Sequence, residues 1–344
     1  MPLDESGRAE QTERSRAPHP MGQGYPRLLG DIGGTNARWA WVAQAGDAPS
    51  DISVRPCLDH TSPVDAARDY LARHGHPAPS WIAIGVATPV TGDHVQLTNR
   101  AWSFSIVGLQ RALGAQRCLV INDFTALALS LPLLGDAELR AVGDNAARPA
   151  PLDGEPLALV GPGTGLGISG LLPIAGGWPI SSEGGHATVA PADDEEAALI
   201  AVLRRRFGHV SAERVLSGQG LVNLYEAVCA LEGRTARPLE SSDVTRAALD
   251  ATDAQCVRAV RLFSGLLGNV AGNLALTLCA RGGLYIGGGI VPRLGTAFDD
   301  AHFRARFEQK GRFASYLQAI PSWVITASTP ALLGADRALT LWPA

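Results

Sequence analysis

The sequence predicts an α/β protein built from two related halves. Short apolar segments alternate with helical periodicity along most of the chain, which is typical of sheets covered by helices. A strand, glycine turn and second strand occur together at 28–39, and the same pattern returns at 156–172. The length of 344 residues exceeds the usual size of one hydrophobic core and therefore favours two domains.

The first half of the chain predicts a hairpin, a helix and two buried strands. Residues 27–30 and 38–43 are short strand-like segments on either side of the Gly33-Gly34 pair, which favours a hairpin turn. The later elements are a helix at 63–74, a strand at 81–87 and a strand at 118–123, which the helical segment FTALALSLP follows directly.

The second half repeats this order after a stretch rich in proline and glycine between Leu133 and Pro156, which suggests a domain crossing. Mostly helical sequence follows the repeated hairpin. Within it, 262–280 predicts a buried helix rather than a membrane span, because three glycines and two asparagines interrupt it. The segment GGLYIGGGIVP predicts a strand ending in three glycines, and WVIT predicts a late strand before a terminal helix.

Composition excludes several classes of partner and compartment. The first 24 residues are charged and lack the apolar core of a signal peptide, so we expect a disordered tail. No uninterrupted apolar run reaches the ~18 to 20 residues needed to cross a bilayer.

The net charge of −4, with scattered basic residues, argues against nucleic acid or an anionic membrane as partner. The five cysteines form no CxxC pair, which disfavours zinc or disulfides and fits a reducing, cytoplasmic compartment.

Three glycine-rich turns each follow a predicted strand, at Gly33-Gly34, at Gly163–Gly165 and at Gly287–Gly289. Glycine allows close approach to the backbone, and consecutive free amides form a concavity that binds anions. Each turn alone could be an ordinary hairpin turn. Three such turns together favour a nucleotide as the ligand.

The scarcity of lysine narrows the kind of nucleotide site. Lys310 is the only lysine in the chain, so neither a P-loop nor a protein-kinase site is possible. A literal GxGxxG occurs at 165–170, but the sequence after it predicts a strand and not the helix that a dinucleotide fold requires.

The motifs resemble those of a known superfamily in composition and in order. GDIGGTNAR, GPGTGLG and LYIGGGIVP are similar to the first phosphate loop, the second phosphate loop and the adenosine loop of sugar kinases and actin-like ATPases. More narrowly, residues from about 28 to about 334 resemble the bacterial glucokinases of the non-ROK type. INDFTALALSLP, SEGGHATVAP, GHVSAERVLSGQGLVNLY and RFEQKGRF belong to the same resemblance.

The resemblance implies a two-lobed actin-like ATPase (ribonuclease H-like) fold, with mixed sheets flanked by helices and a cleft between the lobes. We accordingly expect a tail at 1–24, a small α/β domain at 25–133 and a large α/β domain at 134–326. The C-terminal segment, about 327–344, is expected to return to the small domain.

Asp123 is the candidate catalytic base. Phosphoryl transfer to a hydroxyl needs a rigidly held carboxylate to accept the proton, and Asp123 lies between an apolar strand and a helix. Neighbouring Asn122 can bind a sugar hydroxyl. The alternative for Asp123 is a helix cap at Phe124, and the glucokinase motif favours the catalytic role.

Four further residues are candidate sugar contacts. Glu183 and His186 lie in the turn SSEGGH, which offers too few ligands for a metal but suits adjacent sugar hydroxyls. The alternative is a polar turn stabilised by its own side chains. Glu213 follows Ser211, a natural N-cap, and could simply belong to a helix start, but the resemblance implies sugar binding. Asn99, in LTNRAW, is expected on a loop that closes near the sugar.

The resemblance also implies the nucleotide contacts. Asp31 would hold Mg²⁺ through water, and the first loop would face the β and γ phosphates of ATP. The second loop would complete the phosphate site, and the third would lie against adenine or ribose. The nucleotide-binding candidates are Gly30, Asp31, Gly33, Gly34, Thr35, Asn36, Gly163, Thr164, Gly165, Gly287, Gly288 and Gly289.

The expected reaction is therefore the phosphorylation of glucose at its 6-hydroxyl by ATP, with Mg²⁺ as cofactor. Two lobes are expected to close on the sugar and exclude water. Family resemblance suggests a homodimer. Two alternatives stay open: a kinase for another hexose, and a regulator that senses glucose without turning it over.

Overall fold

The structure is a computed structural model, and it describes residues 24–97, 102–143, 148, 150 and 152–342. Within these ranges the chain forms mixed sheets and flanking helices. The strands are β1 (Arg27–Ile32), β2 (Asn36–Val42), β3 (Ser50–Pro56), β4 (Trp81–Val86), β5 (His94–Gln96), β6 (Ser103–Ser105), β7 (Arg117–Asn122), β8 (Leu139–Ala141), β9 (Leu157–Pro162), β10 (Leu166–Leu172), β11 (Trp178–Ile180), β12 (Gly283–Ile286) and β13 (Ser322–Ile325). The helices are α1 (Pro63–His74), α2 (Ile106–Ala112), α3 (Asp123–Ser130), α4 (Asp194–Phe207), α5 (Gly218–Leu231), α6 (Ser241–Leu249), α7 (Ala254–Leu278), α8 (Ile290–Leu294), α9 (Asp300–Glu308), α10 (Ala314–Gln318) and α11 (Pro330–Leu341).

Two large sheets repeat one topology. The first has the order β3-β2-β1-β4-β7, and the second has the order β11-β10-β9-β12-β13-β8. In both, the first three strands are antiparallel neighbours and the next two join in parallel. The β1–β2 hairpin of the first sheet therefore corresponds to the β9–β10 hairpin of the second, which is the relation that the repeated glycine pattern predicts.

Each hairpin turns where the sequence carries its glycines. Strands β1 and β2 pair up to Ile32 and Ala37, and the Gly33 amide closes the turn on the Asn36 carbonyl at 3.0 Å. Strands β9 and β10 pair up to Pro162 and Leu166, with the Gly163 amide on the Gly165 carbonyl at 2.8 Å. Both hairpins thus present a short turn at the same edge of their sheets.

The segment 262–280 lies largely within α7, as predicted for a buried helix. The Asp253 side chain accepts hydrogen bonds from the first amides of α7, which fixes the start of the helix. By length and composition α7 could cross a membrane, but 72% of its apolar window is buried inside the protein. It packs against α5 and α9 in the core beneath the second sheet.

Helices α3 and α11 lie between the two sheets. Helix α3 continues from the first sheet but packs on β10 and β11, whereas α11 follows the second sheet but packs on β1 and β4. The two helices cross so closely that a Cβ at Gly334 would lie 1.6 Å from the Ala126 carbonyl oxygen. This crossing links the halves of the molecule directly behind the start of α3.

Candidate active site

A cavity of about 420 Å³ lies where β1, β12 and β13 end and α3 begins. Ligands of open α/β sheets bind at this edge, where loops leave the carboxyl ends of strands. Asp31, Asp123 and the third glycine turn all line the cavity. Sequence positions separated by more than 250 residues therefore meet at one site.

Asn122 forms the cap of α3. Its Oδ1 accepts hydrogen bonds from the Phe124 amide at 2.9 Å and from the Thr125 amide at 3.2 Å. The Asp123 carboxylate also accepts the Phe124 amide, at 2.9 Å, from within the first turn. The N-cap position belongs to Asn122 and not to Asp123, so the second carboxylate oxygen of Asp123 is not needed by the helix end.

Burial is the largest cause that raises the pKa of Asp123 to about 7; the negative charges of Asp31 and Glu183 act in the same direction, and the hydrogen bond from the Phe124 amide opposes them. Burial likewise raises the pKa of Asp31, against the lowering effect of Arg38. The Arg38 guanidinium lies 3.0 Å from the Asp31 carboxylate. Two carboxyl groups thus face one cavity, and positive charge brought between them would favour ionisation of both.

The cavity contains hard oxygen donors, which suit Mg²⁺. Among the described residues, no three His, Cys, Asp or Glu side chains converge as a metal cage. A Mg²⁺ ion beside Asp31 would accordingly take most of its ligands from water and phosphate, as this ion commonly does.

The first glycine turn is supported from below by Cys57. The Cys57 amide donates to the Thr35 carbonyl at 2.8 Å, and its thiol lies 3.7 Å from the Gly33 carbonyl. Thr35 itself is exposed at the tip of the turn. Gly34 and Asn36 complete the turn, and Asn36 begins β2.

Gly30 lies apart from this turn. It is buried within β1, where a Cβ would lie 2.8 Å from the Trp39 ring and 3.2 Å from Ile84. The absence of a side chain at Gly30 therefore serves the packing of the sheet.

The second and third glycine turns touch each other. Gly288 has φ +76°, and a Cβ there would lie 2.2 Å from the Pro162 carbonyl at the end of β9. The Gly163 carbonyl accepts the Gly218 amide at 2.9 Å, which ties the second turn to the start of α5. Thr164 is exposed at the tip, as Thr35 is in the first turn. The remaining glycines of these turns are Gly165, Gly287 and Gly289.

Glu183, His186 and Glu213 form a cluster beside the second turn. The two imidazole nitrogens of His186 each lie 4.0 Å from a carboxylate oxygen, one of Glu183 and one of Glu213. Ser211 caps a short 3-10 helix at Ala212–Arg214, so Glu213 belongs to a helix start. Glu183 contributes to the raised pKa of Asp123, which places the cluster within electrostatic reach of that carboxyl. Asn99 lies outside the described residues.

Sequence reasoning missed three features of the cavity wall. The Phe124 ring packs on β9 and β10, where a Cβ at Gly161 or Gly167 would lie within 2.5 Å of the ring. Arg293 of α8 lines the cavity and lies over the third turn. Arg38 is not among the nucleotide-binding candidates taken from the motifs, although a four-residue turn at 33–36 makes it the direct cross-strand partner of Asp31.

Comparison with known proteins identifies the family of the chain. The family model described as "Glucokinase" matches residues 28–341. The chain belongs to the glucokinase family. A glucokinase from Aromatoleum aromaticum is 51% identical over 317 residues, covering 92% of this chain and 95% of the relative. One from Chromobacterium violaceum is 50% identical over 313 residues, covering 91% and 88%.

A solved structure supports the same family and fold. The crystal structure of glucokinase from an Antarctic psychrotroph has a TM-score of 0.82 and 36% identity, covering 91% of this chain and 98% of the other. The two-lobed sugar-kinase fold expected from the glycine motifs is therefore confirmed.

Proposed function

We propose that this protein transfers the γ-phosphoryl group of ATP to the 6-hydroxyl of glucose, giving glucose 6-phosphate and ADP. The observation that carries the proposal is the position of Asp123. Its carboxyl faces a cavity bordered by glycine turns, and its pKa of about 7 is suited to accepting a proton near neutral pH. Membership of the glucokinase family supports the same reaction.

On the sugar side, Asp123 accepts the proton of the 6-hydroxyl as the oxygen attacks the γ phosphate in line. Asn122 uses its carbonyl oxygen for the helix cap, so its Nδ2 group donates to a sugar hydroxyl. Glu183, His186 and Glu213 bind further hydroxyls, because their polar atoms stand 4.0 Å apart and leave room for bridging groups. Asn99 is proposed to contact the sugar from its loop.

On the nucleotide side, the three glycine turns provide backbone amides to the phosphates and to the adenosine. Asp31 would hold Mg²⁺ through water, and the bound ion would supply positive charge to the phosphates. Arg38 and Arg293 line the cavity and supply positive charge that a lysine provides in other nucleotide sites. The nucleotide contacts are those predicted from the motifs, with Gly30 acting through packing.

We further propose that the two sheets mark two domains, at 25–133 with 327–344 and at 134–326. Separate hydrophobic cores beneath the sheets support this division. A cleft between them would close on glucose and exclude water. We also propose a cytoplasmic homodimer, which light scattering of the purified protein would test.

The deciding experiment measures ADP release with ATP, Mg²⁺ and a panel of hexoses, beside calorimetric binding of each sugar. Turnover with glucose, lost in Asp123→Asn while glucose still binds, is the expected result. Greater kcat/KM for another hexose would assign a different sugar kinase. Binding of glucose without turnover in the unaltered protein would instead identify a sugar sensor.

A further inference from the structure

Glu213 contacts two parts of the site at once. Its Oε2 accepts the Leu166 amide at 3.0 Å, immediately after the second glycine turn. Its Oε1 lies 4.0 Å from Nδ1 of His186, in the cluster assigned to the sugar. The side chain is partly buried, with 34% of its surface exposed. One carboxylate therefore touches both the proposed sugar contacts and the backbone of the proposed phosphate turn.

The same carboxylate occupies the space that a side chain at position 165 would need. A Cβ at Gly165 would lie 2.4 Å from Oε2 of Glu213 and 3.3 Å from its carboxyl carbon. Gly33 and Gly163, in the two hairpin turns, are not crowded in this way. A Cβ at Gly163 would meet nothing nearer than the Gly165 carbonyl at 3.9 Å, and one at Gly33 would meet the Asn36 carbonyl at 3.7 Å. Gly165 is thus the turn glycine whose missing side chain makes room for a sugar-site residue.

We propose that Glu213 couples sugar binding to nucleotide binding through Gly165 and Leu166. This inference rests on the proposed function. A sugar hydroxyl on Oε1 fixes the carboxylate, and Oε2 then holds the Leu166 amide and the end of the turn in place. A turn ordered before ATP arrives loses less conformational freedom on binding, so the nucleotide binds more tightly. Because coupling is reciprocal, nucleotide also tightens the binding of glucose.

Gly165→Ala tests the link from the nucleotide side. The added methyl displaces the Glu213 carboxylate, so glucose affinity without nucleotide is expected to fall by about fivefold or more, in the range of ordinary coupling energies. Gly163→Ala is the matched control within the same turn, and it should leave glucose affinity within about twofold, since its methyl meets only ordinary contacts. Isothermal titration calorimetry with glucose measures both, after thermal melts show that each variant is folded.

A double-mutant cycle decides whether the effect passes through Glu213. In a Glu213→Ala background, Gly165→Ala should have no further effect on glucose affinity. The ratio of glucose affinities with and without ADP should also fall towards one in Glu213→Ala, but not in Glu183→Ala, because Glu183 belongs to the cluster without contacting the turn.

Equal losses from Gly165→Ala in both backgrounds, or unchanged glucose affinity in Gly165→Ala, would overturn the coupling while leaving glucose phosphorylation intact. Equal loss of the ADP effect in Glu183→Ala and Glu213→Ala would overturn it as well. Failure of the unaltered protein to bind glucose would instead refute the proposed function itself.

Discussion

Replacing Asp123 by Asn should abolish turnover and stabilise the folded protein above neutral pH. The folded protein holds the Asp123 pKa near 7, whereas the ordinary value is 3.8. The unfolded chain therefore gives up this proton at a lower pH than the folded protein does. As pH rises from about 4 to about 7, ionisation favours the unfolded state and the free energy of unfolding decreases. Asn carries no ionisable proton, so the variant avoids this loss.

The magnitude follows from the change in pKa. A tenfold change in a protonation equilibrium corresponds to about 1.4 kcal/mol, so a rise from 3.8 to about 7 is worth at most about 4 kcal/mol at alkaline pH. Below pH 4 the contribution disappears, because Asp123 is then protonated in both states. Asn also preserves the acceptor oxygen for the Phe124 amide. The stability difference between the two proteins should consequently grow with pH and not be constant.

Urea unfolding of both proteins without ligands, at several values between pH 4.5 and pH 8.5, measures this difference. Asp69→Asn is a control of opposite sign, since a hydrogen bond from Arg73 lowers the pKa of Asp69. That variant should be less stable than the unaltered protein by an amount that stays constant from pH 4.5 to pH 8.5, because Asp69 ionises below this range in the folded and in the unfolded state. If Asp123→Asn is more stable than the unaltered protein by the same free energy at pH 4.5 and at pH 8.5, the raised pKa of Asp123 is refuted.

Three further predictions concern the rate profile, the helix crossing and the single lysine. The kcat/KM for glucose should fall tenfold per pH unit below about pH 7, as Asp123 becomes protonated; a flat profile between pH 5.5 and 7 would exclude Asp123 as the base. Gly334→Ala should destabilise the protein by about 3 kcal/mol or more in urea unfolding, because its methyl overlaps the Ala126 carbonyl, and an unchanged midpoint would contradict the close crossing. Lys310→Met should lower the free energy of unfolding by about 1–3 kcal/mol in the same assay, since Lys310 donates to the backbone and side-chain oxygens of Asn269. An unchanged free energy of unfolding would mean that the half-buried ammonium contributes no net stability.

Short-range sequence patterns predicted the helices, strands and turns whose positions depend on neighbouring residues. The β1–β2 hairpin, α1, β4 and the β7–α3 junction all lie within two residues of the predicted positions, because apolar periodicity and glycine turns define each of them. The short strands β5, β6 and β8 were not predicted. Each spans three residues, which is too short for a pattern to distinguish from a loop.

The candidate site was predicted only where a motif carried it. The contact of Glu213 with Leu166 joins residues 47 positions apart, and no spacing rule relates them. Gly30 shows what a motif leaves out, because the motif assigns its glycines to the ligand and does not indicate that this one also accommodates Trp39. Asn122 was expected to bind sugar, and only the structure identified its oxygen as the cap of α3.

The two hairpins share a topology but differ in how charge surrounds them. The first turn has a carboxylate on its own strand, Asp31, paired across the hairpin with Arg38. The second turn has no acid on its strands and receives Glu213 from a separate 3-10 helix instead. An acid within the hairpin moves with its turn and suits a fixed position near metal and phosphate. An acid supplied from another segment can bind a second ligand without movement of the turn. This difference explains why coupling to the sugar would arise at Gly165 and not at Gly33.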